Sequence, residues 1–142
     1  MARATVVLTG WALVLVLASS AEAAAPDYIL FSGRGLARPV LLANWNENHD
    51  LLMALAVAPR ARGAQVRGLG RRRCLDVAEF WGWSGKSRPT RASQANQHGR
   101  FYPADGTHPA VIVLTVNGNN FPRLVTAKVW SIFARHGIPL RI

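Results

Sequence analysis

Ala110-Val111-Ile112-Val113-Leu114-Thr115-Val116, followed by Asn117-Gly118-Asn119-Asn120, is the stretch on which the fold turns. A continuous run of β-branched and aliphatic residues, without polar alternation, is the pattern of a strand buried on both faces, and it predicts the central strand of a sheet. Asn and Gly tolerate positive φ, so 117–120 reads as a tight turn. Phe121 to Val125 then returns as a second strand, and Pro122, which has no N–H for a neighbouring strand, marks an edge or a bulge.

Towards the C-terminus, Thr126 is placed to cap a helix whose apolar face is Val129, Trp130 and Phe133. Gly137 followed by Ile138 is a left-handed stop with a hydrophobic contact behind it. Pro139 to Ile142 reads as a short edge strand. Towards the N-terminus, Arg100 to Tyr102 and Cys74 to Phe80 read as strands, and Tyr28 to Phe31 and Pro39 to Ala43 as a hairpin around Gly33 and Gly35. Asn44 with Glu47 three positions on is a capping-box pair, Leu51, Leu52 and Leu55 share one face of the helix that follows, and Pro59 stops it. Residues 28–57 and 110–136 therefore share one order: strand, turn, strand, capped helix. The expected fold is α+β, a small mixed or antiparallel sheet with about two helices on one face.

Residues 1–23 read differently. Arg3, an apolar run from Val6 to Ala18, and Ala21-Glu22-Ala23 have the tripartite layout of a secretory signal peptide with cleavage after Ala23. The run is shorter than the roughly 18 residues a bilayer core requires, so no transmembrane span is expected after cleavage. Residues 24–142 then form a single domain, with a secreted or periplasmic location. One cysteine, Cys74, allows no internal disulfide, and core packing alone must hold the fold.

The charge is uneven. The chain carries a net charge of +10, and between residues 60 and 100 stand Arg60, Arg62, Arg67, Arg71, Arg72, Arg73, Lys86, Arg88, Arg91 and Arg100 against Asp76 and Glu79 alone, so +8 lies in that band. Two polar segments hold most of it: a flexible basic loop at about 59–73, without apolar periodicity and punctuated by glycines, and a second polar loop at about 84–97. Phe80-Trp81-Gly82-Trp83 follows the first; in an extended chain Trp81 and Trp83 would share a face.

Apparent nucleotide signatures fail. Gly82-Trp83-Ser84-Gly85-Lys86-Ser87 resembles the end of a phosphate loop, but Phe80 stands where its first glycine belongs and Pro89 blocks the helix. For catalysis the candidates are Cys74 as nucleophile, its thiol flanked by arginines, with His98 or His108 as base. Asp105 and His108, with His98, or His49 and Asp50, fall short of the three or four convergent ligands of a metal site, and neither a metal nor a cofactor is expected. Arg together with Trp favours binding over catalysis. The expected function is that of a small exported, non-catalytic domain contacting an anionic partner (an acidic envelope polymer, an anionic membrane surface or an acidic protein) through Arg71, Arg72, Arg73, Trp81 and Trp83. Nucleic acid fits the charge but sits awkwardly with export. The alternatives are a small exported hydrolase or thiol enzyme using Cys74 with His98 or His108, and a structural subunit of an envelope assembly.

Overall fold

The computed structural model describes residues 25–116 and 118–141. The signal peptide expected at 1–23 and Asn117 of the predicted turn lie outside the described residues. Six strands, β1 (Tyr28–Ser32), β2 (Val40–Leu42), β3 (Leu75–Phe80), β4 (Gln97–Tyr102), β5 (Val111–Val116) and β6 (Asn119–Leu124), form one antiparallel sheet in the order β2-β1-β3-β4-β5-β6. Two helices, α1 (Trp45–Val57) and α2 (Ala127–Arg135), follow the hairpins β1-β2 and β5-β6. The chain is a small α+β domain with an antiparallel sheet.

Strand alternation divides the sheet into two faces. Ile29, Phe31, Leu42, Leu75, Val77, Phe101 and Ile112 cluster with Leu51, Ala54 and Leu55 of α1 and Val129, Ile132 and Phe133 of α2. Phe133 is fully buried and sets its ring edge-on against Phe31 and Phe101, at centroid distances of 5.2 and 4.9 Å. The intervening residues of the strands build two smaller clusters on the second face. Leu30, Ala78 and Phe80 are covered by Trp83, Ala92 and Ala95, and Tyr102 and Val111 by Ala61, Val66 and Leu69.

These satellite clusters correct the expected place of β5. It is the fifth strand of six, beside the edge strand β6, and the centre of the sheet belongs to β3 and β4. Its unbroken apolar run is nevertheless satisfied on both faces: Ile112 enters the main core, while Val111 and Val113 are covered from the other side by segment 59–73. Continuity of apolar residues reports two-sided burial, and here a loop supplies the second side. That segment has structure of its own, with turns of 3-10 helix at Gly63–Gln65 and Leu69–Arg71. Its first residues pair with β6: Leu124 N–H donates to the Pro59 carbonyl and Ala61 N–H to the Pro122 carbonyl, at 2.9 and 3.1 Å. Pro122 thus stands on the outermost named strand.

The local signals at the helix ends are largely found. Asn44 Oδ1 accepts from Glu47 N–H at 3.0 Å. The reciprocal half of the capping box is replaced, because the Glu47 carboxylate turns to the end of α2, where it meets Arg135 Nη2 at 2.8 Å and His136 Nε2. At the C-terminus of α2, Ile138 N–H donates to Phe133 and Gly137 N–H to Ala134, with Gly137 at φ 70°, which is the paired pattern of a Schellman stop. Thr126 occupies the N-cap position of α2 without a side-chain hydrogen bond, and Ile132 joins Val129 and Phe133 in the core while Trp130 is half-buried. Buried Asn48 reaches the carbonyls of Pro26, Asp27 and Leu42 and fastens α1 to the first hairpin.

β4 begins at Gln97, earlier than its polar start suggests, and pairs with β5 so that Gly99 stands opposite Leu114. A Cβ there would lie 2.5 Å from the Val113 carbonyl oxygen and 3.1 Å from the Leu114 side chain. Gly99→Ala is expected to destabilise the domain by about 1 to 3 kcal/mol, the range of an overpacked interior site. Gly70→Ala, where nothing lies within 4 Å, should stay within about 0.5 kcal/mol. Urea unfolding of both variants checks the contrast.

Candidate functional site

The register of β1 on β3, with Ser32 opposite Asp76, carries the turn after β1 to the start of β3. Gly33 has φ 134°, a conformation that favours glycine, and lies against 74–75, where a Cβ would make an ordinary contact 3.4 Å from the Cys74 carbonyl oxygen. From the other direction the C-terminal segment arrives: Ala104 N–H donates to Leu140, and Ala104 bridges to Arg141. Arg34, Arg73 and Arg141, from three separate parts of the chain, thereby line one cavity of about 150 Å³ together with Cys74, Leu75, Pro103 and Pro139. A second cavity of about 240 Å³ shares Arg73 and Pro103 with it and adds Arg71, Arg72 and Asp105.

The three consecutive arginines do different things. Arg71 and Arg73 are exposed. The Arg72 side chain is only 7% exposed; Nη2 donates to the carbonyls of Pro103 at 2.7 Å and Pro109 at 3.0 Å, Nε stands 3.5 Å from Asp105 Oδ2, and the guanidinium lies over the Tyr102 ring. Its Nη1 is buried without a protein hydrogen-bond partner. Arg72 is a clamp inside the fold, and its neighbours are the surface charges.

Asp105, beside it, closes its own turn. It accepts from the N–H groups of Thr107 and His108, at 2.9 and 2.8 Å, and from His108 Nδ1 at 2.9 Å. The Thr107 amide first, and the His108 side chain next, hold its carboxyl well below the usual carboxylate range. The Asp105 and His108 pair weighed as metal ligands is accounted for as a loop buckle that also faces Arg72. Among the described residues no three His, Cys, Asp or Glu side chains gather as a metal site requires.

Cys74, His98 and His108 are not brought together. His98 pairs with Ala78, four residues along β3 from Cys74, which is roughly 13 Å at the rise of a strand. No hydrogen bond joins the Cys74 sulfur to either imidazole among the described residues. Burial pushes the Cys74 thiol up, against the opposing pull of Arg100 and with a smaller push from Asp76, so the neutral thiol is favoured. His98 instead lines a groove of about 350 Å³ on the second face with Arg100, Tyr102, Val113, Thr115 and Asn120. Arg100 in that groove stands 4.0 Å from Asp76, and both side chains are largely exposed.

The tryptophans lie at the other end of β3, roughly 25 Å from Arg73 by strand rise, and do not share a face. β3 ends at Phe80, and Gly82 at φ 62° breaks the alternation that would have aligned them. Trp81 Nε1 donates to Glu79 Oε2 at 3.1 Å; Glu79 is buried, which pushes its carboxyl up against the lowering effect of that bond. Trp83 packs edge-on against Phe80 of the opposite face, donates Nε1 to the Ser87 carbonyl, and carries the Lys86 ammonium over its ring at 4.5 Å. Both indoles are half-buried and tied into the fold.

Two members of the cavity, Arg34 and Arg141, fall outside the basic band visible in the sequence. Arg34 lies in a glycine turn and Arg141 in a C-terminal edge segment, and neither reading shows that the two meet at Arg73. No family model, curated protein or solved structure matches the chain.

Arg72→Ala is expected to destabilise the domain by about 1.5 to 3 kcal/mol, the scale of charged hydrogen bonds lost from a buried position, whereas Arg71→Ala and Arg73→Ala should each stay within about 0.5 kcal/mol. Chemical denaturation of the three variants measures the difference. The depressed Asp105 carboxyl has a definite sign: its contribution is present above its ordinary pKa of 3.8 and is lost as pH falls through the lower folded value. Asp105→Asn should therefore be less stable than wild type at neutral pH, with the deficit shrinking below pH 3.8. Glu79, raised by burial, acts in the opposite sense, but its contribution is common to both proteins and cancels in the comparison of their pH-dependent unfolding.

Proposed function

We propose that this is an exported, non-catalytic binding domain that engages an anionic partner at or outside the membrane through the arginines gathered at the start of β3. The observation that carries the reading is the convergence of Arg34, Arg71, Arg73 and Arg141 on two adjoining cavities whose lining includes, among the described residues, one carboxylate, Asp105, already committed to Arg72 and to its own turn. Concentrated positive charge above low-dielectric walls focuses the field and attracts acidic surfaces. In this reading the two helices back one face of the sheet and leave the strand ends to the partner. Trp81 and Trp83 serve the fold, and Arg72 holds the 103–109 loop that forms one wall. Binding is favoured over thiol catalysis by the neutral thiol and by the separation of Cys74 from His98. No helix among the described residues is long and apolar enough to cross a membrane.

The test uses the secreted form, whose intact mass should correspond to a start at Ala24. It is expected to cosediment with envelope fractions at low salt and to be released as ionic strength rises towards 0.1 M, where screening acts within about 10 Å. The triple variant Arg34→Gln, Arg73→Gln, Arg141→Gln should lose at least about tenfold in affinity, the loss of roughly one charged hydrogen bond, with an unchanged urea midpoint. Binding by the triple variant as tight as wild type would remove the arginine cluster from the function.

A further inference from the structure

Acidic partners present their charge as carboxylates or as phosphates, and the two differ in shape. We propose that the cavity lined by Arg34, Arg73, Cys74 and Arg141 receives a phosphate monoester group. The proposal rests on the binding reading above and names the group recognised.

Size sets the first limit. A volume of about 150 Å³ is roughly five water molecules' worth and is well below the roughly 300 Å³ at which sites for drug-sized molecules begin. It fits a terminal group, with the body of a larger molecule lying outside it. Charge sets the second. Among the described residues, three guanidinium-bearing residues line this cavity and no carboxylate does. Their origin in three segments, the β1-β2 turn, the residue before Cys74 and the C-terminal bridge, spreads the donors around the space. A planar carboxylate is satisfied by one guanidinium fork. A phosphate monoester carries about −1.5 to −2 charges at neutral pH and three acceptor oxygens, and so can engage all three arginines.

The rest of the wall is consistent with that ligand. Gly35, Leu75, Pro103 and Pro139 line the remainder without charge, so the charged donors are the arginine side chains. The adjoining cavity with Arg71 extends the positive field outward, where the body of the phosphate-bearing molecule would lie. The larger groove at His98 is a poorer candidate, since Arg100 there already has Asp76 beside it.

Cys74 makes the proposal measurable, because it is the single cysteine of the chain and lines the cavity. Alkylation of the native protein by uncharged N-ethylmaleimide is followed with inorganic phosphate replacing chloride at constant ionic strength. Phosphate is expected to slow labelling at least about tenfold at saturation. Arg34→Gln and Arg141→Gln, each checked for an unchanged urea midpoint, should each weaken the half-protecting concentration about tenfold or more, as loss of a charged hydrogen bond would. Acetate should protect much less. Titration calorimetry with inorganic phosphate, on wild type and Arg34→Gln, gives the same comparison where labelling is slow. Vesicles bearing phosphatidate protect Cys74 if the phosphate comes from a lipid headgroup, and protection by inorganic phosphate alone assigns it to a soluble source. Equal protection by acetate, no effect of phosphate beyond chloride, or undiminished phosphate binding in Arg34→Gln would each overturn the proposal. Envelope binding that persists in excess phosphate yet is lost in the triple arginine variant would leave the binding reading standing and reject the phosphate assignment alone.

Discussion

The antiparallel pairing of β1 with β3, Leu30 opposite Ala78, is the constraint on which the other features depend. It is a contact between segments nearly fifty residues apart, and it inserts β1 between the short edge strand β2 and the centre of the sheet. One end of that pairing delivers the glycine turn and Arg34 to Arg73 and Cys74. The other end brings Asp27 beneath the turn that follows β3, where its carboxylate accepts from the N–H groups of Trp83 and Ser84. A slip of one residue would reverse both faces of β3, exposing Leu75 and Val77 and burying Asp76, so the register is strongly specified. The arginine cavity is thus a consequence of burying the right residues of β3.

Helix packing then fixes the layer beneath. Phe133 is wedged between Phe31 of β1 and Phe101 of β4, so α2 reports on the same pairing from the opposite side. The two helices are also joined at their ends, where Glu47 in the first turn of α1 meets Arg135 and His136 at the end of α2. The Glu47 carboxylate near a helix N-terminus and the Arg135 guanidinium near a C-terminus are each also favourable to their own helix. Their location at the helix ends lets them orient α1 and α2 without placing a charge inside the core.

Arginine-rich composition conceals a division of labour that only burial separates. Arg72 is an internal clamp whose guanidinium supplies donors to two carbonyls of the 103–109 loop; Arg71 and Arg73, one residue either side, point outward. The basic segment 59–73 is likewise not merely a charged loop, because Ala61, Val66 and Leu69 complete the second face of β4 and β5. Compositional bias and structural use coexist in the same few residues.

What the sequence by itself determined is local. Both hairpins, the Asn44 cap, the stop at Gly137 and the arrest of α1 before Pro59 follow from φ preferences, proline sterics and hydrogen bonds spanning five residues or fewer, and all were legible in the chain. The order of the strands was not. Ala110 to Val116 declares two-sided burial, but whether a neighbouring strand, a helix or a folded loop provides it depends on segments far away, and β5 stands next to the edge. Trp81 and Trp83 separate because Gly82 takes a positive φ that strand alternation does not foresee. Cys74 and His98 share a neighbourhood in composition but are held four residues apart along β3. The candidate site was half visible, as Arg71 to Arg73; Arg34 and Arg141 joined it only through long-range pairing, whose free energy comes from burying the sheet as a whole and which no short window of sequence contains.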